Sequence, residues 1–207
     1  MSRANPATDR FPPGQRPAKG WPVLQYGPVP TFDPTTWDFK VWGAVRNPVR
    51  FDYRQIRTLD AVEVVADFHC VTKFSVLDIK WTGVSFKTIT ELVSPRPGAR
   101  HVMAHCEYGY EVNLPLDCLM DDDVILAWSR DGEDLSAEHG YPLRLVVPKR
   151  YAWKSAKWVR GLEFMTEDRR GFWEERGYHN NADPLSEQRY SYQEDESAGS
   201  FFRPFGG

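Results

Sequence analysis

The chain alternates apolar and polar residues in short runs, a pattern that predicts strands. Residues 37–43, WDFKVWG, alternate aromatic or aliphatic side chains with charged ones, as expected for a strand with one face in the core. Further apolar runs predict strands over residues 62–68, 124–129, 141–148 and 157–165. An Asp-Gly pair follows the run 124–129 and favours a tight turn there.

One segment has the spacing of a short amphipathic helix. In residues 84–93, VSFKTITELV, the side chains of Phe86, Ile89 and Val93 fall on one side of a helix. Ser85 is a suitable N-cap, and two prolines and a glycine follow closely and would end the helix.

Strands therefore predominate, and no regular alternation of strands and helices appears. We expect an α+β fold, a single sheet-rich domain with mixed or antiparallel sheets and few short helices. The domain is expected over residues 21–184, after a proline-rich arm at residues 1–20 that lies extended across its surface. Residues 185–207 form a polar tail that is loose or docks through its phenylalanines, Phe201, Phe202 and Phe205.

Composition and charge exclude some classes of function. The chain has 207 residues, of which 41% are hydrophobic and 27% charged, as in globular proteins that form a core without disulfides. A formal charge of -3 gives no global electrostatic argument for a nucleic-acid partner or a membrane surface. No apolar run approaches a membrane span and the N-terminus has no secretory signal, so a cytoplasmic location is expected.

Three cysteines, Cys70, Cys106 and Cys118, occur without any CxxC pair, so we expect reduced thiols. Cys70 stands where the apolar run 62–68 gives way to polar residues, in DFHCVTKFS. Two interpretations of Cys70 are open from the residues alone. It fills the core, as free cysteines often do, or it presents a thiolate as metal ligand or nucleophile at the end of a rigid strand.

Positive charge collects in one window. Residues 141–160 contain six basic residues and no acidic one, although the chain as a whole is net acidic. This pattern fits either a solvated strand face balanced by carboxylates elsewhere or an anion site with phosphate-binding donors. His139 lies five residues before Arg144, so the two either frame one pocket or His139 has a structural role.

The segment HVMAHC brings His101, His105 and Cys106 close together in sequence. The alternating apolar residues favour a strand, on which the two histidines would share a face. A zinc site here has little support, because no ligating carboxylate or CxxC pair accompanies them.

Four blocks together resemble the molybdopterin-binding domain of the sulfite oxidase family. They are DFHCVT around Cys70, the following WTGVSF, residues 139–164 (HGYPLRLVVPKRYAWKSAKWVRGLEF) and residues 171–184 (GFWEERGYHNNADP). They come in the family's order, and the likeness extends over residues 21–184. The resemblance is closest to the bacterial branch that includes the catalytic subunit of a periplasmic methionine-sulfoxide reductase.

The resemblance implies a molybdenum–molybdopterin cofactor with one pterin per metal. Cys70 would bind the metal through its thiolate, since a soft, deprotonated sulfur suits a metal already held by sulfur ligands. The basic window would then face the cofactor's anionic end. The resemblance assigns eight cofactor-binding positions and leaves the catalytic residues unassigned: Tyr26, Gly27, Cys106, His139, Arg144, Ser155, Ala156 and Lys157.

The implied activity is two-electron oxygen-atom transfer on a small molecule, with an unidentified electron donor or acceptor. Sulfite oxidases carry arginines shortly after the metal cysteine, whereas here Lys73 is the one candidate cation in Val71–Ser75. Reduction of an S-oxide or N-oxide is therefore favoured over sulfite oxidation, with Phe74, Trp81 and Trp153 either forming an apolar entrance or packing in the core. The sequence also lacks the family's immunoglobulin-like dimerisation domain, so a monomer is expected.

Two other functions are compatible with the sequence. The protein could bind molybdopterin or transfer electrons without turnover of its own. Alternatively, the likeness could be one of fold alone. Metal analysis separates the last possibility from the others, and turnover with artificial electron donors separates the first two.

Overall fold

The computed structural model describes residues 10–194, which form two sheets joined by short helices and turns. The strands are β1 (Arg16–Pro17), β2 (Asp38–Gly43), β3 (Val49–Asp52), β4 (Ala61–His69), β5 (Phe74–Ser85), β6 (His101–Cys106), β7 (Glu111–Pro115), β8 (Ile125–Arg130), β9 (Glu133–Asp134), β10 (Arg144–Val146) and β11 (Val159–Met165). The α-helices are α1 (Tyr53–Ile56), α2 (Phe86–Val93) and α3 (Leu116–Leu119). Single 3₁₀ turns lie at Glu107–Gly109, Ala137–His139, Ala152–Lys154, Glu174–Arg176 and Ser191–Gln193.

Both sheets are mixed. The first has the order β1-β5-β8-β10, with β4 also paired to β5 and β9 to β8; only the β1–β5 pair is parallel within it. The second has the order β3-β2-β11-β6-β7, in which β2 and β11 run parallel and the other pairs are antiparallel. The predicted sheet-rich α+β class with few short helices is confirmed.

Most of the predicted elements are present. Strands β2, β4, β8 and β11 confirm four of the predicted runs, and α2 begins after Ser85, whose Oγ accepts the Thr88 N–H at 3.0 Å. The helix ends at Ser94, which adopts a left-handed conformation with φ 51°. The run 141–148 is shorter than predicted, since only Arg144–Val146 pairs as a strand between Pro142 and Pro148, which have no N–H to donate.

Among the described residues, five strands were not predicted: β1, β3, β5, β7 and β9. Strand β5 is twelve residues long, but Asp78, Lys80 and Gly83 interrupt its apolar pattern. Gly83 is required by packing rather than by a turn, because a Cβ there would lie 2.1 Å from the Leu126 carbonyl oxygen of β8. The sequence pattern suggests a break in this segment, whereas the structure has one continuous strand that pairs closely with β8.

The main core lies between the two sheets and under α2. Side chains that alternate along β8 and β10 divide between two clusters, since Leu126 and Leu145 face this core while Ile125 and Val146 face the opposite side of the first sheet. On that opposite side they pack with Trp81. Trp21 of the N-terminal segment covers this second cluster.

The described part of the N-terminal arm is in contact with the domain. Arg16 and Pro17 pair with the start of β5, and Arg10 forms ion pairs with Asp67 and Asp78. The predicted boundaries at residues 20 and 184 stay predictions, and the proposed docking of Phe201, Phe202 and Phe205 lies outside the described residues. No helix within residues 10–194 is long and apolar enough to cross a membrane.

Candidate cofactor site

A cavity of about 520 Å³ opens where the N-terminal segment crosses the ends of several loops. Its walls come from distant parts of the chain: residues 21–28, the end of β4 with the turn after it, the turn 107–110, and segments within 139–158 and 172–178. A volume of this size is typical of sites for cofactors and small ligands.

Cys70 reaches this cavity from the turn between β4 and β5. The turn is closed by the Lys73 N–H donating to the Cys70 carbonyl at 3.0 Å, with Lys73 in the left-handed region at φ 72°. The Cys70 side chain lines the cavity, and the residue is 8% exposed. Cys70 is therefore both buried and directed at a cavity, which combines the two interpretations left open by the sequence.

Arg144 is a buried cation on the same cavity. Its Nη1 and Nη2 donate to the carbonyls of His139 and Ser155, each at 2.8 Å, while its Nε has no hydrogen-bond partner. No carboxylate among the described residues forms an ion pair with Arg144, and burial lowers its pKa to about 9. The guanidinium packs 5.2–5.4 Å from three aromatic ring centroids, those of Trp21, Phe68 and Trp81.

Lys157 adds a second cation. Its Nζ donates to the carbonyls of Glu138 at 2.7 Å and Leu24 at 3.0 Å and to the Gln25 side chain at 3.1 Å. Within residues 10–194 it has no carboxylate partner, and burial together with the Arg144 charge lowers its pKa to about 7. Arg144, together with Lys157 when it is protonated, gives the cavity an uncompensated positive charge, as expected of a site for an anion.

Gly140 lets these two cationic residues approach. It has φ 113°, and a Cβ at this position would lie 3.0 Å from the Cβ of Arg144 and 3.2 Å from that of Lys157. Any larger residue would therefore push the two apart.

Ser155 and Ala156 lie in the loop that connects these cations, and both line the cavity. The Ser155 hydroxyl accepts the Val147 N–H at 2.9 Å, and the Ala156 carbonyl accepts the Leu145 N–H at 2.8 Å. Residues 155 and 156 are thus held against β10 and the residue after it by one hydrogen bond through the Ser155 side chain and one through the Ala156 backbone.

Lys154 belongs to the same basic window but has a structural role. Its Nζ is fully buried and lies 2.6 Å from Glu174 Oε1, which also accepts the Trp153 indole N–H at 2.8 Å. The Asn113 carbonyl accepts from the same Nζ at 2.7 Å. This pair fastens the loop to the segment 171–178, and its charge is compensated.

The basic window therefore combines both sequence interpretations. Lys149 pairs with Asp121 on the outside of the domain, as the solvated-face interpretation expects, while Arg160 pairs with the buried Asp38 and with Glu107. Arg144 and Lys157 face the cavity, as the anion-site interpretation expects.

His139, Tyr26 and Gly27 also line the cavity. The His139 ring stacks on Trp21 with 3.9 Å between centroids, and its Nδ1 lies 3.0 Å from the Ser136 hydroxyl. Burial lowers the pKa of His139, so the ring is neutral near pH 7. Tyr26 lies at the cavity mouth, 62% exposed, with its ring centroid 4.6 Å from that of Phe172.

Cys106 is the one predicted cofactor position that the structure does not bring to the cavity. It lies in the main core at the end of β6, where burial first and then Glu107 and Glu111 raise the pKa of its thiol. Along β6 the side chain of Cys106 alternates away from those of His101 and His105.

The weakly supported zinc site is not formed by the described residues. His105 lies between two carboxylates, 2.8 Å from Glu111 and 3.1 Å from Glu163, and no cluster of metal-ligating side chains occurs within residues 10–194. His105 is accounted for by these two carboxylate contacts.

Several lining residues were not predicted from the sequence, and many of them are aromatic. Tyr178 is one: burial raises its pKa, and the neighbouring Tyr190 and Cys70 raise it further. The aromatic content of residues 171–178 was visible, but nothing in the sequence indicated that this segment faces Cys70. The further aromatic lining residues that were not predicted are Trp21, Phe68, Tyr108, Tyr110, Trp158, Phe172 and Trp173.

The cavity has the features expected of a class of protein that holds an anionic cofactor beside a cysteine thiol. The unpartnered Arg144 Nε, the two cations without carboxylates and the buried thiol all fit a phosphate-bearing, thiolate-ligated cofactor.

Comparison with known proteins identifies the family. Residues 26–173 match the family described as oxidoreductase molybdopterin binding domain. The chain is 40% identical over 192 residues to the "Uncharacterized oxidoreductase YuiH" of Bacillus subtilis, covering 92% of this chain and 97% of that protein. It is 29% identical to the protein-methionine-sulfoxide reductase catalytic subunit MsrP of Gluconobacter oxydans, covering 74% of this chain and 56% of that protein.

Two further comparisons give the breadth of the family. Sulfite oxidase from Arabidopsis thaliana is 28% identical, over 74% of this chain and 48% of that protein, so this chain spans about half of the reductase and the oxidase. The sulfane dehydrogenase SoxCD from Paracoccus pantotrophus superposes with a TM-score of 0.61 at 22% identity, over 67% of this chain and 40% of that chain, and shows the shared fold.

The chain belongs to the oxidoreductase molybdopterin-binding domain family, in the sulfite oxidase group. The predictions of the family and of an enzyme are confirmed, and membership implies a molybdenum cofactor. The individual cofactor-binding residues and Cys70 as metal ligand stay predictions.

Proposed function

We propose that this protein binds one molybdopterin per chain, with Cys70 as the thiolate ligand of molybdenum, and reduces a small neutral S-oxide or N-oxide. The observation that carries the proposal is the meeting of Cys70 with Arg144 and Lys157 on one cavity. When bound, the molybdenum centre supplies two-electron oxygen-atom transfer, with electrons from a separate donor.

The cofactor's anionic end would be held by Arg144 and Lys157. Neither side chain has a carboxylate partner within residues 10–194. Arg144 has an unused Nε donor for a phosphate, and Lys157 would exchange one of its three present acceptors for a phosphate oxygen. Ser155 and Ala156 lie in the loop between them, while His139 and Trp21 stack to form one wall.

The substrate preference is argued from the lining of the cavity. Its charged lining residues are Arg144, Lys157 and Glu107, and Glu107 is paired with Arg160 at 2.6 Å. Lys73 is exposed and is not among the lining residues. A sulfite dianion would thus find no guanidinium beyond the one assigned to the cofactor, whereas a neutral oxide would meet an aromatic wall. The methionine-sulfoxide reductases among the relatives support this direction.

The cofactor assignment is tested by metal analysis and by electron paramagnetic resonance of the partly reduced protein. We expect about one molybdenum per chain and a Mo(V) signal that Cys70→Ser removes or greatly alters, because a hydroxyl is a poor substitute for a soft thiolate. Cys118→Ser is the matched control, since Cys118 lies in α3 and does not line the cavity. An unchanged spectrum in Cys70→Ser contradicts the assignment.

The substrate class is tested by steady-state assays. Reduction of sulfoxides and N-oxides with an artificial donor is compared with sulfite oxidation using an artificial acceptor. Efficient sulfite turnover with a low Michaelis constant contradicts the substrate proposal. Absence of turnover with every substrate in the metal-loaded protein would instead indicate a carrier or electron-transfer protein.

A further inference from the structure

The turn that carries Cys70 is fixed by the two ends of the described chain. The Gln15 amide Nε2 donates to the Cys70 carbonyl at 2.9 Å, and the Arg16 N–H donates to the Lys73 carbonyl at 3.0 Å. From the opposite end of the sequence, Arg189 Nη1 donates to the Val71 carbonyl at 2.6 Å. Three carbonyls of a four-residue turn thus receive donors from outside it.

Arg189, which donates to a backbone carbonyl of the turn, is a buried arginine. It is 7% exposed, and its nearest carboxylate is Glu187 at 3.6 Å, a longer contact than the one with Val71. Its guanidinium carbon lies 4.8 Å from the Tyr151 ring centroid. Burying a guanidinium against backbone carbonyls costs desolvation free energy. A side chain that only capped an exposed carbonyl at the surface would not incur this cost.

The backbone that carries Arg189 is itself held in place. The Arg189 N–H donates to the Gln193 side chain at 2.8 Å, and its carbonyl accepts the His179 N–H at 3.1 Å. The donor group therefore starts from an anchored residue, and its contact with the turn is not a flexible surface contact.

A metal ligand on a turn needs such support. The orientation of the Cys70 sulfur depends on the backbone of Cys70–Lys73, and turns between strands are ordinarily more mobile than the strands. Ligands act well only when neighbouring contacts restrict their orientation.

We infer that Arg189 and Gln15 are positioning residues that fix the orientation of the Cys70 thiolate. The inference rests on the proposed function, in which Cys70 binds the metal. Neither residue lines the cavity, so neither acts by contact with cofactor or substrate.

The first measurement is hydrogen exchange of the apoprotein, which needs no metal. Arg189→Met should speed exchange of the Cys70 and Lys73 amides by about tenfold, the factor expected from losing one hydrogen bond to a charged donor. Gln15→Glu, which keeps the shape but loses the donor, should speed it by about threefold. Arg170→Met is the matched control, because Arg170 pairs with Glu194 and does not touch the turn.

The second measurement is the Mo(V) spectrum of the loaded variants, whose g values depend on the orientation of the sulfur ligand. Arg189→Met and Gln15→Glu should shift or broaden the signal at unchanged metal content, and Arg189→Lys should restore part of the wild-type signal. Arg170→Met controls for general destabilisation: it should leave the Mo(V) signal unchanged, even where it lowers the melting temperature as much as Arg189→Met does.

The outcomes separate this inference from the proposed function. Unchanged exchange at Cys70 and Lys73 in both variants overturns the inference, and so does faster exchange with an unchanged spectrum. If instead Cys70→Ser keeps the wild-type spectrum, the proposed function fails, and with it the positioning role.

Discussion

The Thr72 hydroxyl lies 3.1 Å from the Cys70 sulfur, across the tip of the turn between β4 and β5. No other hydrogen bond of the Thr72 hydroxyl is formed within residues 10–194. Towards a thiolate the hydroxyl is the donor, and such a hydrogen bond withdraws electron density from the sulfur.

We predict that this contact raises the midpoint potential of a metal bound to Cys70. Thr72→Val keeps the shape and loses the donor, and should lower the potential by about 20–60 mV, the one-electron equivalent of a hydrogen bond worth about 0.5–1.5 kcal/mol. Potentiometric titration of the Mo(V) signal measures the change. Thr72→Ser keeps the hydroxyl and should behave as wild type, and equal potentials in all three proteins would rule the hydrogen bond out.

A second prediction concerns Arg144, for which stability and cofactor binding oppose each other. Arg144→Met removes a buried, unpaired cation, so the apoprotein should gain stability while cofactor affinity falls by about 2–5 kcal/mol. Thermal melting of the apoprotein and the pterin content after purification measure the two effects. Arg150→Met, a neighbouring arginine outside the cavity lining, is the control.

The reverse result has a clear meaning. If Arg144→Met, and also the double variant with Lys157→Ala, retain the full pterin content, the anionic end of the cofactor is not held by these residues. A melting temperature that falls in Arg144→Met would show that its hydrogen bonds to His139 and Ser155 outweigh the cost of burying its charge.

The fold could be predicted from sequence wherever the local pattern agrees with the tertiary structure. Strand β2 and helix α2 have clear periodicity, and Ser85 caps the helix as predicted. Strand β5 could not be found in this way, because the requirement for Gly83 comes from β8, and Asp78 adopts a left-handed conformation that the sequence does not reveal.

The candidate site also contains residues that could be predicted from the sequence and residues that could not. A strand end drew attention to Cys70 and an asymmetry of charge to the window 141–160, and the resemblance to the family selected Arg144 and Lys157 within that window. All three residues meet on one cavity. The contacts of Gln15 and Arg189 could not be predicted from the sequence. Both residues donate to backbone carbonyls, which are 55 and 118 residues away, and the sequence contains no pattern that indicates such contacts. These long-range contacts with the backbone are the features of the site that only the structure reveals.

A third prediction uses the lowered pKa of Lys157. With a pKa of about 7 in the apoprotein, Lys157 is largely neutral above that pH and gains a proton when an anion binds. Sulfate is a suitable probe because its own charge is constant in this range. Its affinity for the apoprotein should fall as the pH rises through 7 to 9, with proton uptake detected by calorimetry in buffers of different ionisation enthalpy.

The control for this experiment is Lys157→Met. It should bind sulfate more weakly at pH 6 and show no proton uptake between pH 7 and 8, a range below the pKa of about 9 of Arg144 on the same cavity. Proton uptake that persists in Lys157→Met would assign the titration to another group.

The final prediction concerns His179, beside the cavity residue Tyr178. The Nδ1 of His179 accepts the N–H groups of Asn181 at 3.0 Å and Ala182 at 3.2 Å, so this nitrogen is unprotonated in the fold. Burial lowers the pKa of His179, an effect that Glu194 opposes and Lys154 reinforces. The unfolded chain therefore binds a proton below pH 6.5 before the folded protein does, and the free energy of unfolding should decrease as the pH falls from 6.5.

Burial also lowers the pKa of His69 and of His139, so the acid sensitivity of the wild type contains contributions from all three histidines. The contribution of His179 is therefore isolated by comparing a His179 variant with the wild type. His179→Asn provides a side-chain oxygen acceptor that does not titrate. It should lower stability at pH 7.5 yet lose less on acidification to pH 5, as measured by urea unfolding at both values. Hydrogen exchange at Asn181 and Ala182 localises the change, since protonation of His179 must release both amides. Parallel pH dependences of wild type and variant would show that His179 does not control the acid stability of this segment.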